Sequence, residues 1–136
     1  MSSERAATTD PAAPPPVPVS VSVSTHILDT SAGRPAAGVG VELDVRTGGT
    51  AQWSAHAASV TDADGRCKDL PVLPQGTAHA RLTFAVGPYH SEGPDEEGER
   101  GGFFPEVTVV FAVAPGEHYH VPLLLNPFGY SVYRGS

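Results

Sequence analysis

Residues 19–28 read VSVSVSTHIL, and the alternation is strict. Val19, Val21 and Val23 point to one side, while Ser20, Ser22, Ser24 and His26 point to the other. An apolar residue at every second position buries one face of a strand; a helix, with a period of about 3.6, scatters the same residues around its axis. The pattern returns along the chain. In VGVELDV (39–45), Val39, Val41, Leu43 and Val45 face in, with Glu42 and Asp44 out. ARLTFAV (80–86) places Leu82, Phe84 and Val86 on one face, and HYHVPLLL (118–125) does the same with Tyr119, Val121, Leu123 and Leu125. Turn residues separate these runs, as in SAGRPAAG, DADGR, PGE and NPFG. AQWSAHAASVTD is less regular and predicts one or two short strands with Trp53 packed against them. GPYHSEGPDEEGERGG predicts a short helix and then a loose acidic loop. Seven or eight short strands, little helix and no internal repeat predict an all-β, antiparallel sandwich.

A chain of 136 residues suits one domain with one hydrophobic core. Residues 1–16 are mostly Ala, Pro, Ser and Thr and have too little apolar surface to offset the entropy of ordering; they are expected to be a disordered extension, with the domain spanning 17–136. The net charge of −7 argues against nucleic acid as a partner, since phosphate binding needs a basic surface. Cys67 is alone, so it makes no internal disulfide and reads as a passenger. No stretch approaches the roughly 20 apolar residues of a membrane span. The N-terminus has an early Arg but lacks the apolar centre of a secretory signal, so the cytoplasm is the expected compartment.

Several polar groups fall on the side of a strand that faces away from the core. In HYHVPLLL, His118 and His120 lie opposite the Tyr119 face, along with Pro122 and Leu124. His26 lies opposite the valine stripe of the first strand. In an extended final segment, Arg134 and Ser136 share a face and Tyr133 takes the other. EVTVVFAV (106–113) is apolar on both faces, which predicts a strand covered by more than its own core. One reading is a wet sheet face. Leu124, Val110 and Ala112 also point outward, which favours a subunit contact lining a pocket. Three histidines can hold zinc, but no compact ligand motif accompanies them. A Ser–His–Asp triad lacks its G-x-S-x-G elbow. Histidine with arginine and no nucleophile suits water activation: imidazole takes a proton from water, and guanidinium stabilises the oxyanion. That chemistry fits hydrolysis of an activated amide or ester in a small, planar, polar molecule. Parity alone does not separate His118 from His120.

STHILDTSAGRPAAGV, TDADGR, FFPEVTVVF and HYHVPLLLNPFGYSVYRGS, in this order over about residues 20–136, resemble the 5-hydroxyisourate hydrolases, the transthyretin-related enzymes of urate breakdown. The terminal YRGS is the most specific mark. The resemblance implies a transthyretin-like sandwich of two four-stranded sheets with one short helix. It implies a homotetramer whose sites form between subunits around a central channel. It also implies the reaction: water opens the six-membered ring of 5-hydroxyisourate at an amide, giving 2-oxo-4-hydroxy-4-carboxy-5-ureidoimidazoline. No metal or organic cofactor is implied. Carried over by motif, His26, Arg66, His120 and Ser136 are the catalytic positions, and Tyr133, Arg134 and Gly135 bind substrate. The choice of His120 over His118, and any role for Arg66, rest on the resemblance. His120 is expected as the base, with His26 holding the water or protonating the leaving nitrogen. Arg66 and Arg134 are expected on the carbonyls and the developing charge, where a planar guanidinium suits better than an ammonium. The YRGS tail is expected to floor the pocket, so that a further residue after Ser136 would intrude on substrate. Three departures from the family pattern, Asn126, His90 and the acidic 92–100 loop, lie outside the site motifs. Two other readings compete. A transthyretin-type carrier would have an apolar channel without this His–Arg set, and a structural β-sandwich leaves the charged terminus unexplained.

Overall fold

The computed structural model describes residues 20–91 and 102–136. The expectations for the 1–16 extension and for the 92–100 acidic loop lie outside these residues. Eight strands and one short helix follow in order: β1 (Ser22–Asp29), β2 (Arg34–Pro35), β3 (Gly40–Arg46), β4 (Ser54–Val60), β5 (His79–Ala85), α1 (Val86–Ser91), β6 (Val107–Ala112), β7 (His118–Asn126) and β8 (Gly129–Val132). They form two four-stranded sheets, ordered β2-β1-β7-β8 and β4-β3-β5-β6. Among the described residues no helix is long and apolar enough to cross a membrane.

The core lies where the alternation put it. From one sheet, Val23, Ile27, Tyr119, Val121, Leu123 and Leu125 face inward; Val41, Leu43, Leu82, Phe84 and Val107 meet them from the other. Phe84, Ile27, Leu43, Leu82 and Leu123 are wholly buried, and each contributes roughly 1.5–3 kcal/mol of transfer free energy. Thr25 also faces the core, and its hydroxyl is satisfied by donating to the Val121 carbonyl at 2.6 Å.

Every strand pair but one is antiparallel. β1 and β7 run parallel, in continuous register from Ser22↔His118 to Asp29↔Leu125. Period two is the same in both senses, so alternation gives the faces of a strand and not the direction of its partner. β4 carries a register shift opposite Leu43/Asp44, which accounts for its weak pattern. Trp53 just before it packs against two guanidiniums, with Arg46 4.3 Å and Arg81 4.5 Å from the ring centre. β6 and β8 are sheet edges on the same side of the sandwich. The outward face of β6 is open in the single chain, where Val110 is 49% exposed.

Candidate active site

The parallel pairing of β1 with β7 builds the site. Its inward residues are core. Its outward residues form two adjacent rows, with Ser22, Ser24 and His26 on β1 opposite His118, His120 and Pro122 on β7. His26 and His120 are thus diagonal neighbours on one face, with Cα atoms roughly 8 Å apart from the strand spacing and the rise over two residues.

Arg66 arrives from a turn whose sequence dictates its shape. The Asp62 carboxylate accepts from the backbone N–H groups of Asp64 at 2.9 Å and Arg66 at 3.1 Å, as an Asx turn does. Gly65 then takes φ +77°, and a Cβ there would collide with the Ile27 carbonyl oxygen. The Ile27 N–H donates to the Gly65 carbonyl at 2.8 Å, and His26 and Arg66 form an isolated antiparallel bridge. Upstream, the buried Thr61 fixes the turn to the body: its hydroxyl donates to the Ala36 carbonyl at 2.7 Å and accepts from the Val39 N–H at 2.9 Å. Arg66 is therefore an exposed cation seated beside His26 by backbone contacts.

His120 is half-buried, while His118 is exposed. Burial lowers the pKa of His120 below its ordinary value near 6.5, and the Arg66 guanidinium lowers it further, as do the His26 and His118 rings whenever they carry charge. A lowered pKa favours the neutral ring. Its Nδ1 lies 2.8 Å from the Ser24 hydroxyl. The C-terminal segment closes the other side. The Gly135 N–H donates to the His120 carbonyl at 2.8 Å, and the bare Cα of Gly135 rests against the His120 ring. A groove of about 330 Å³ runs alongside, lined by Ser22, Ser24, Arg66, Lys68 and His118.

Arg134 is not brought to this group. The β7–β8 register, continued to the His120↔Gly135 bridge, sets Arg134 beside the core-facing Val121. Its guanidinium lies 4.5 Å above the Tyr119 ring and pairs with Glu117 at 3.0 Å. There it borders a separate apolar cavity of about 280 Å³ with Phe111, Val121 and Val132. Ser136 is exposed, and Tyr133 is 54% exposed. Cys67 is buried in the core cluster, and burial pushes its thiol pKa up, so it supplies no thiolate.

The model of the HIUase/Transthyretin family matches residues 23–135. A protein of Caulobacter vibrioides named 5-hydroxyisourate hydrolase is 43% identical over 115 residues, covering 84% of this chain and 97% of that one. The chain belongs to the HIUase/Transthyretin family. The solved structure of Klebsiella pneumoniae 5-hydroxyisourate hydrolase superposes with a TM-score of 0.66 at 34% identity, over 84% of this chain and 98% of that one. Transthyretin from Sparus aurata superposes with a TM-score of 0.70 at 27% identity, over 83% of this chain and 95% of that one. The two neighbours share a fold and carry different names, so the family fixes the sandwich and the outer-face residues must carry the argument for chemistry. Here sequence reasoning passed over Ser24 and Ser22. Both hydroxyls fall on the histidine side of the first strand, and that shared parity was the available signal.

Proposed function

We infer that this chain is a hydrolase of 5-hydroxyisourate, acting in urate degradation. The observation that carries the reading is the meeting of His26, Arg66 and a His120 of lowered pKa on one outer sheet face. It is supported by the relative of that name from Caulobacter vibrioides, 43% identical across 84% of the chain.

In this reading His120 takes a proton from water at Nε2 as the water oxygen bonds to the ring amide carbon. The carbonyl oxygen becomes an oxyanion beside the Arg66 guanidinium. The carbon–nitrogen bond then breaks as a protonated His26 delivers its proton to the leaving nitrogen, and the proton held by His120 passes through water to His26 and restores both rings. The product carries a new carboxylate and a ureido group. Gly135 and Tyr133 wall the base. Arg134 and Ser136 act as groups delivered across a subunit contact, because within one chain Arg134 lies on the far face. The assembly is a homotetramer with sites between subunits. Its support is the open face of β6, the position of β6 and β8 as neighbouring edge strands of the two sheets, and the half-exposed state of the site in the single chain.

The test follows the ultraviolet absorbance of freshly made 5-hydroxyisourate with and without protein, corrected for decay in buffer. A protein-dependent acceleration is expected, and its absence leaves a small-ligand carrier. His120→Ala should lower kcat by about 10²–10⁴-fold, the usual share of a general base. A loss under about threefold in a folded protein rejects His120 as the base. Light scattering tests the tetramer.

A further inference from the structure

Four side chains on the outer face form a continuous hydrogen-bonded row. The Ser22 hydroxyl lies 2.7 Å from His118 Nδ1. His118 Nε2 lies 2.9 Å from the Ser24 hydroxyl, and that hydroxyl lies 2.8 Å from His120 Nδ1. The register explains the row: Ser22 is paired with His118, Ser24 with His120, and all four alternate on one side of the parallel ladder. His118 spans the two serines with both ring nitrogens.

Proton counting restricts what this row can do. Each hydroxyl has one hydrogen, and each neutral imidazole has one N–H. With every link occupied, three arrangements remain: two run in a single direction along the row, and the third crowds two donors, His118 Nε2–H and His120 Nδ1–H, onto the Ser24 oxygen and turns the Ser24 hydrogen out of the row. In the first, Ser22 donates to His118 Nδ1, His118 Nε2–H donates to Ser24, and Ser24 donates to His120 Nδ1. The free His120 Nε2 then carries the hydrogen and cannot accept one. In the second, His120 Nδ1–H donates to Ser24, Ser24 donates to His118 Nε2, and His118 Nδ1–H donates to Ser22. His120 Nε2 is then bare. The surroundings favour the second. The Arg66 guanidinium, bridged to His26, stands on the same face as His120, and its positive field opposes an N–H dipole on the free edge of the ring and favours a lone pair. At the other end, the Ser22 hydroxyl hydrogen is released towards the open groove.

We propose that His118 is a positioning residue: acting through Ser24, it holds His120 in the tautomer with hydrogen on Nδ1 and a bare Nε2. The assignment rests on the hydrolase reading for its catalytic meaning, but not for its structural content. A partner on one imidazole nitrogen sets the role of the other. The same row keeps the His120 ring from rotating as Nε2 takes up a proton.

The experiment uses the full chain with 15N-labelled histidine. Long-range proton–nitrogen correlation spectra at neutral pH distinguish bare from protonated ring nitrogens. Wild type should show His120 with Nδ1–H and bare Nε2. Ser24→Ala and His118→Phe should turn this into a mixture of tautomers, and His118→Gln, which keeps an acceptor where Nε2 stood, should restore it. A wild-type His120 protonated on Nε2, or a tautomer ratio untouched by both Ser24→Ala and His118→Phe, overturns the proposal. These spectra decide the row even if the protein does not turn over 5-hydroxyisourate. Where it does, Ser24→Ala and His118→Phe should each lower kcat about 10-fold, the scale of a lost orienting partner, with KM within about twofold. His118→Gln should recover to within about threefold of wild type. Equal kcat in His118→Phe and wild type refutes the role in catalysis.

Discussion

Gly135→Ala tests whether the C-terminal segment serves the base by contact. A Cβ at Gly135 would stand 2.8 Å from His120 Cδ2, 3.1 Å from Pro122 Cγ and 3.3 Å from Pro122 Cδ. Ordinary contact begins at 3.4 Å, so the His120 ring must give by about 0.6 Å, the difference from 2.8 Å. Pro122 is buried and its ring is stiff, which leaves the half-buried imidazole as the part that moves. Gly135 does not have a positive φ, so the substitution adds bulk without backbone strain. Moving the ring also disturbs the 2.8 Å approach of Ser24 to Nδ1. A misplacement of about 1 Å can cost about 10²-fold in rate, so about 0.6 Å corresponds to a loss of about 10-fold in kcat. The ultraviolet assay at saturating substrate reads it, with circular dichroism to confirm the fold. Gly129→Ala is the control: it lies in the same sheet, and its Cβ would meet nothing closer than 3.8 Å. Equal kcat for Gly135→Ala and wild type would refute the reasoning, since the ring would then tolerate displacement or the tail would not rest upon it.

Two further outcomes follow from the titrating groups. His120 must be neutral to accept a proton, and its pKa lies below the ordinary value near 6.5. In a pH–rate profile, kcat/KM should therefore hold as pH falls past that value and drop only below the lowered pKa. Arg66→Gln removes one of the opposing charges and should move this acid limb to higher pH; an unmoved limb would show that the field of Arg66 does not reach the base. The second outcome concerns the joint between β1 and α1. Burial works against ionisation of Asp29, but hydrogen bonds from Tyr89, Ala32 and Ser31 outweigh it and hold the carboxyl below its ordinary 3.8. Tyr89 is pushed up to about 12 by burial and by that carboxylate, to which it donates at 2.6 Å. A depressed folded-state pKa stabilises the fold fully above the unfolded value and loses that contribution as pH falls through the folded one. Tyr89→Phe strips one donor from the buried carboxylate and should cost about 1–3 kcal/mol at neutral pH, with acid unfolding starting at higher pH. An unchanged melting temperature at neutral pH would count against the joint.

The residues that the sequence revealed and those it concealed differ for a physical reason. Alternation is a property of one strand, so Val23, Leu43, Phe84 and Leu123 could be assigned to the core, and His26 and His120 to the outside, without knowing any partner. Pairing is a property of two strands. Ser24 and His120 are 96 positions apart, and nothing local in either segment reports that β1 and β7 run parallel. The same limit held for the tail. Parity separated Arg134 from Tyr133, but only the register of the final segment against β7 shows that Arg134 sits with Tyr119 on the far side. It held for Arg66 too, since DADGR announces a turn and says nothing of the strand that the turn lies against. Propensity and period specify elements; a site made where elements cross becomes visible with the register.

One consequence concerns why such a site would be built on an outer face. On that face His120 is only half-buried and Arg66 is exposed, so water screens both. The base is lowered by burial first and by neighbouring charge second, and both effects grow as water is removed. A second copy of the chain laid over the face would deepen burial of His120, strengthen the field of Arg66, and surround the substrate with walls that a single sandwich lacks. Assembly and base strength are then coupled in one direction: a variant that weakens the subunit contact without touching the four outer-face side chains should raise the pKa of the base as it lowers kcat. A monomeric variant with an unshifted pH profile and full kcat would separate the two and place the whole reaction within one chain.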